Sequence, residues 1–229
     1  MSMHWKQEKK YLVLTGNYGS GKTELALHLA MEGARKGVTR LVDLDIVNPY
    51  FTSAEKRDRL EAAGVTLLTP TFAMTTVDIP ALPPEIQSVF ELPCDRVIFD
   101  VGGDDTGAAA LGRYYPSFQL HREETVSALV VNCMRPLTQT AEDILDIAGR
   151  IGSRGRLGVD LLINNTNLAD WTEPEMVEQG ERIVLACAEK LGGKPVITSG
   201  LPEVLRRCAL NTPILPIQRQ MIPEWMEDI

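Results

Sequence analysis

A chain of 229 residues with 44% hydrophobic content is long enough for one large α/β domain with a full core, or at most two small domains. Charged residues make up 24%, as in ordinary soluble proteins, and the formal net charge of -8 disfavours non-specific binding to nucleic-acid phosphates. The polar start, Met1–Lys10, lacks the apolar stretch of a signal peptide, no apolar run reaches membrane-spanning length, and the tail carries Glu224, Glu227 and Asp228 rather than a basic amphipathic anchor. The expectation is a cytoplasmic protein with no membrane anchor and no strong nucleic-acid signal.

In chain order, short apolar runs alternate with longer helical segments, which predicts a mostly parallel sheet with helices on both faces. The predicted strands are Tyr11–Thr15, Arg40–Leu44, Val65–Thr69, Arg96–Val101, Ser127–Asn132, Asp160–Asn164 and Pro195–Thr198. A helix over Glu24–Lys36 follows the first. Thr52 with Glu55 reads as a capping box before a helix ending at Gly64, and Thr172 with Glu175 as another before a helix running toward Gly192. Thr138 or Thr140 caps the helix through Ile147. Pro70–Pro93, with five prolines, reads as an excursion carrying a short helix near Glu85–Phe90. The chain is read as a single domain, 1–229, with residues 1–10 as a polar extension.

Between the first strand and its helix stands Gly16-Asn17-Tyr18-Gly19-Ser20-Gly21-Lys22-Thr23. This is the full G-x-x-x-x-G-K-T spacing of a phosphate loop. Its glycines let backbone N–H groups turn toward a β-phosphate, and the following helix points its positive end at the anion. Lys22 is placed to bridge β- and γ-phosphates, and the Thr23 hydroxyl to ligate Mg²⁺. Two further strands end in carboxylates, Leu41-Val42-Asp43-Leu44-Asp45 and Val97-Ile98-Phe99-Asp100-Val101-Gly102-Gly103. Strand C-termini in an open α/β sheet face the ligand crevice. Asp100 is therefore the candidate for holding Mg²⁺ through water, and Gly103 offers a backbone N–H to a γ-phosphate. One of Asp43 and Asp45 orients the attacking water or a Mg²⁺-bound water; the alternative for either is a turn carboxylate before Asn48-Pro49. Asp45 enters the candidate site as a catalytic and metal-binding residue with Asp100, beside Lys22 and Thr23. Asp104 and Asp105 read as solvent-facing or helix-capping residues.

Cys94, Cys133, Cys187 and Cys208 lie far apart with no Cys-x-x-Cys spacing, which argues against zinc or an iron–sulfur cluster and fits a reducing compartment. His4, His28 and His121 are scattered. Arg150, Arg154 and Arg156 form a local basic cluster in an otherwise acidic chain.

In this order the motifs resemble the MinD/ParA class of P-loop ATPases, within the SIMIBI superclass that also holds nickel-insertion GTPases and cobyrinate-type amidoligases. The resemblance runs from Tyr11 to Ile217. It rests on Gly16–Thr23, Asp43–Asp45, Asp100–Gly103, Ile163–Asn167, Gly200–Glu203 and Ala209–Leu215. It implies a P-loop NTPase three-layer α/β sandwich with a sheet of roughly seven strands. It also implies ATP and Mg²⁺ as ligands and an ATP-bound homodimer or a protein partner. By position, Asn164 matches the base-contacting asparagine, and Pro202 and Glu203 lie in a turn beside the adenine. Members of the class usually carry a signature lysine next to the first loop glycine. Here that position is Asn17, which makes the chain atypical. The function expected is an Mg²⁺-dependent ATPase acting on an unknown partner. The alternatives are an ATP-dependent small-molecule kinase or ligase and, third, a metal-insertion GTPase.

Overall fold

The structure is a computed structural model, and it describes residues 9–45, 57–69 and 84–220. Eight strands are present among these: β1 (Tyr11–Thr15), β2 (Thr39–Leu44), β3 (Val65–Leu68), β4 (Arg96–Val101), β5 (Thr125–Val131), β6 (Leu161–Asn164), β7 (Val196–Gly200) and β8 (Ile214–Pro216). They form one sheet in the order β3-β2-β4-β1-β5-β6-β7-β8, and every adjacent pair is parallel. The helices that place the site are α1 (Lys22–Ala34), α2 (Arg57–Ala62), α3 (Pro84–Gln87), α4 (Asp105–Arg113), α5 (Tyr115–Leu120), α6 (Ala141–Gly155), α7 (Pro174–Lys190) and α8 (Pro202–Leu205).

The layering follows from the two-residue period of each strand. In β1, Leu12 and Leu14 join the core beneath α1, where Leu25, Leu29 and Ala30 pack against Leu41 and Ile98. Tyr11 and Val13 face the other way, into a cluster with Phe90, Phe99, Leu111 and Phe118. A third cluster joins Leu129, Val131 and Leu162 to Ile144, Ile147 and Val184 of α6 and α7. Central strands covered on both faces must be apolar throughout, and β1 and β5 are buried at every position.

The sheet has eight strands where roughly seven were expected. The extra one, β8, is three residues long and ends in a proline, too short to show a period. The start of α6 bears out Thr140, which forms a reciprocal capping box with Asp143, while the Thr138 hydroxyl turns inward to Asn132 O at 2.6 Å. The box expected from Thr172 and Glu175 does not form. The Thr172 hydroxyl instead closes the preceding turn, accepting from Leu168 N at 2.9 Å and donating to Ala169 O at 2.6 Å. Pro174 then starts α7 with no N–H to satisfy. Asp104 caps α4 by accepting from Gly107 N at 2.8 Å. Of the proline-rich excursion, the short helix is present as α3 and a 3-10 turn at Ser88–Phe90, while residues 70–83 lie outside the described residues, as do Thr52 and Glu55. No helix among the described residues is long and apolar enough to cross a membrane.

Candidate functional site

Because all strands run the same way, their C-terminal ends deliver their loops to one edge of the sheet. The phosphate loop leaves β1 at the centre, Asp45 follows β2, Gly102 and Gly103 follow β4, and the loops after β5, β6 and β7 lie on the other side. The chain turns away from β1 in both directions, toward β4 and toward β5, which makes this edge the switch point where α/β sheets bind ligands.

The loop from Gly16 to Gly21 ends at α1 with Gly21 in a left-handed conformation (φ 83). A Cβ at Gly21 would stand 2.4 Å from Asn165 Nδ2, so both conformation and space require glycine. Lys22, Thr23 and Glu24 open α1, and the amide groups of that first turn have no partner inside the helix. Lys22 is only 6% exposed; its Nζ donates to Asn17 O at 2.9 Å across the crest of the loop. Burial lowers the pKa of its ammonium, while the charges of Asp100, Asp45 and Asp104 act to raise it.

Asp100 is the penultimate residue of β4, opposite Leu14 of β1 and Asp43 of β2 in the register. It is 1% exposed, and neither carboxylate oxygen receives a hydrogen bond among the described residues. Burial pushes its pKa up to about 6, with the Asp45 charge adding to the rise. The Lys22 ammonium pulls the other way, as does the neighbouring Thr23 hydroxyl, which favours the charged form without meeting hydrogen-bond geometry. Between the two strand-end carboxylates of β2 the geometry discriminates. Asp43 is buried and accepts from Asp45 N at 2.9 Å, closing the turn. Asp45 Oδ1 lies 3.3 Å from where a Cβ on Gly102 would be, against the loop after β4, and its charge reaches both Lys22 and Asp100.

Gly103 packs directly on the phosphate loop. A Cβ there would meet Tyr18 N at 2.6 Å and Asn17 C at 2.9 Å, so the loops after β1 and β4 are in backbone contact. Tyr18 is 65% exposed on the crest, and the Ser20 hydroxyl is buried with no hydrogen-bond partner among the described residues.

The structure places Asn164, expected beside the base, within the fold and Asn165 against the phosphate loop. As the last residue of β6, Asn164 points into the sheet face. It is fully buried and donates to Val177 O (3.1 Å) and Thr198 Oγ1 (3.3 Å), while its Oδ1 accepts from the Thr166 hydroxyl at 2.7 Å. Nothing of it is left for a base. Asn165, one step on, faces the phosphate loop, with Nδ2 donating to Ser20 O at 2.8 Å and Oδ1 accepting from the Ser199 hydroxyl at 2.9 Å. One residue along a strand reverses the face, which sets the two apart. Asn167 is taken up locally, giving Nδ2 to Asn165 O and accepting from Ala169 N. Pro202 and Glu203 start α8 just past the end of β7, at the same edge, with Glu203 exposed.

Asn132 and Ser199, which the sequence reading did not single out, also meet these loops. The Asn132 side chain bridges to the loop after β6, donating to Asn167 O (3.0 Å) and accepting from Asn167 N (3.2 Å). The signal available for Asn132 was its place directly after the buried apolar run of β5. The basic cluster dissolves on inspection: Arg154 pairs with Asp105 at 3.0 Å and Arg156 lies over the Tyr115 ring. Arg150 instead lines a cavity of about 330 Å³ beside Asn17 and Gly103, with Thr106, Leu137 and Ile147. Among the described residues no group of three or more His, Cys, Asp or Glu side chains is placed to hold a metal.

No protein-family model matches the chain, and no curated protein matches it. Solved structures do. The cell division protein FtsY from Thermotoga maritima superposes with a TM-score of 0.52 at 19% identity, covering 81% of this chain and 60% of that one. The signal recognition particle 54 kDa protein from Aeropyrum pernix, in complex with GDP, gives 0.53 at 23% identity, with 83% and 42% covered. A nucleotide-binding protein from Archaeoglobus fulgidus, in complex with ADP, gives 0.51 at 13% identity, with 89% and 86% covered. The fold is the mostly parallel α/β P-loop NTPase fold that these structures share, and the MinD/ParA branch is not singled out among them. The chain spans less than two thirds of the first two proteins' length.

Proposed function

We propose that the chain is a Mg²⁺-dependent nucleoside triphosphatase that takes ATP and works on a protein partner. The observation that carries this is Asp100, a buried strand-end carboxylate with neither oxygen hydrogen-bonded among the described residues, beside Lys22 and the Thr23 hydroxyl. An ionised group left in that condition is costly unless a cation completes it. The donor set fits Mg²⁺, which binds through one or two carboxylates, a hydroxyl, waters and substrate phosphates rather than an all-protein cage. Thr23 and Asp100 would hold the ion, with Asp45 behind them. When bound, Mg²⁺ neutralises charge on the phosphate oxygens. In the triphosphate complex Lys22 exchanges the Asn17 carbonyl for β- and γ-phosphate oxygens, and the first turn of α1 with the loop amides receives the rest of the charge. Gly103 N–H faces the γ-position, and Asp45 orients the attacking water.

Base choice has its own support, since the fold accommodates both: one neighbour holds GDP and another ADP. Guanine presents two donors that a carboxylate satisfies. The run Asn164–Ala169 contains no carboxylate, and the next one, Asp170, is paired with Arg219 at 2.6 Å. Adenine makes no such demand.

The test is turnover and binding of Mg·ATP by the wild type, Lys22→Ala and Asp100→Asn. The expected outcome is hydrolysis lost in Lys22→Ala and a weakened Mg²⁺ dependence in Asp100→Asn. Unchanged turnover in Lys22→Ala would sink the reading. A second reading, phosphorylation or ligation of a small acid, is favoured by the 330 Å³ cavity that opens beside Asn17 and Gly103. Turnover that requires an added acid and yields a phosphorylated product would select it over the partner-directed ATPase. A metal-insertion role has less support: His28 accepts from Gln218 N, and His121 stacks within the aromatic cluster beside Glu124.

A further inference from the structure

We propose that Arg135, on the loop between β5 and α6, is a second cation of the phosphate site and contacts the polyphosphate of the bound nucleotide directly. The inference rests on the nucleotide reading above and adds a residue that neither the loop motif nor the strand-end carboxylates assign.

Three observations place it. First, the Arg135 side chain lies along the phosphate loop itself. A Cβ on Gly19 would stand 3.2 Å from Arg135 Nε and 3.4 Å from its Cδ, so the guanidinium stem rests on the crest of the loop. Second, the loop that carries it is fastened at both ends of its turn. Asn17 Nδ2 donates to Pro136 O at 3.0 Å, binding it to the phosphate loop. The Thr138 hydroxyl closes it onto Asn132 O and Arg135 O, and Asn132 Oδ1 accepts from Met134 N at 3.0 Å. Leu137 is held at φ 65, a conformation costly for a branched side chain that persists only where the surroundings impose it. Third, the guanidinium has no carboxylate partner among the described residues, whereas Arg122, Arg154, Arg207 and Arg219 each have one. A cation held over a phosphate cradle, on a loop anchored to that cradle, has its complement in the anion the cradle binds. Five N–H donors in a planar fork suit phosphate oxygens better than a point charge does.

The test uses the full-length protein and measures binding of ATP, ADP and inorganic tripolyphosphate at fixed Mg²⁺ and two salt concentrations. Arg135→Gln keeps the bulk and hydrogen-bonding capacity and removes the charge. It is expected to weaken ATP and tripolyphosphate about tenfold to a hundredfold and to flatten the salt dependence. Arg135→Lys is expected to fall between Gln and wild type. Lys36→Gln serves as the charge control. It sits past the far end of α1, about 20 Å along the helix from the loop, and is expected to bind as wild type does. Far-ultraviolet dichroism and thermal midpoints of all variants should overlay, since Arg135 is exposed. Wild-type affinity in Arg135→Gln, or a loss matched by Lys36→Gln, overturns the role of Arg135 while leaving the nucleotide reading in place. A wild-type protein that binds none of the three probes overturns both.

Discussion

Asp100 is where the site and the stability of the fold pull against each other. Burial penalises the charge of its carboxyl and pushes its pKa up to about 6 in the folded chain, well above the ordinary carboxylate range. Between about pH 4 and pH 6 the folded state therefore binds more protons than the unfolded state. Stability from this group falls as pH rises through that window and stays low above it. In nucleotide-free, Mg²⁺-free protein, the stability of Asp100→Asn relative to wild type is expected to grow from pH 4 to pH 6 and then level off, by about 3 kcal/mol at most. Urea denaturation at each pH measures this; parallel profiles for the two proteins would contradict it. Gly103 makes a second residue-scale prediction. A methyl there meets the Tyr18 backbone nitrogen at 2.6 Å, and backbone cannot swing aside. Gly103→Ala should cost about 1–3 kcal/mol of stability and reduce triphosphate affinity, read by denaturation and calorimetry. Residues such as Lys22, Thr23 and Asp100 were legible because the loop and strand end fix them by covalent spacing. Asn165 was not, since nothing in Asn164-Asn165 says which of two adjacent amides lies inside the strand and which begins the loop.

At the scale of elements, the edge of the sheet is a set of loops joined by side-chain amides. Asn165 ties the loop after β6 to the phosphate loop, Asn132 ties the loop after β5 to the loop after β6, and Asn17 ties the phosphate loop to the loop after β5. The ring of contacts closes on itself, so displacing one loop moves the others. Asn165→Asp removes the donor to Ser20 O and sets a buried carboxylate against a carbonyl, at a cost of about 1–3 kcal/mol or more. Asn164→Asp damages a comparably buried network between β6, β7 and α7 instead. Measured at matched fractions folded, Asn165→Asp is expected to lose nucleotide affinity and Asn164→Asp to keep it. The reverse order would restore Asn164 as the residue of the site. Most elements could be read in advance because buried strands announce themselves as apolar runs and helices by caps such as Thr140 with Asp143. What escaped was tertiary in cause: Thr172 is a turn residue because Leu168 N and Ala169 O reach it first.

On the scale of the whole molecule, one parallel sheet carries every loop of the site, so nucleotide binding is expected to act on the stability of the entire fold. A ligand that binds the folded state alone stabilises it by about 2.7 kcal/mol at one hundred times its dissociation constant. The loops after β1, β4, β5 and β6 are cross-connected at one edge, and the cores beneath them share the same strands. Mg·ATP should therefore raise a single cooperative thermal transition rather than split it into two. GTP should raise it less. Its N1–H and N2–H find no free carboxylate between Asn164 and Ala169, and Asp170 would have to leave Arg219 to serve. A guanine donor left unmet costs about 1–3 kcal/mol, roughly one to two decades in affinity. Thermal midpoints across matched concentrations of ATP and GTP at fixed Mg²⁺, with competition binding to confirm the order, measure the preference. A tenfold or larger preference for GTP would mean that the base is read from outside the loop after β6, and the assignment of adenine would fall with it.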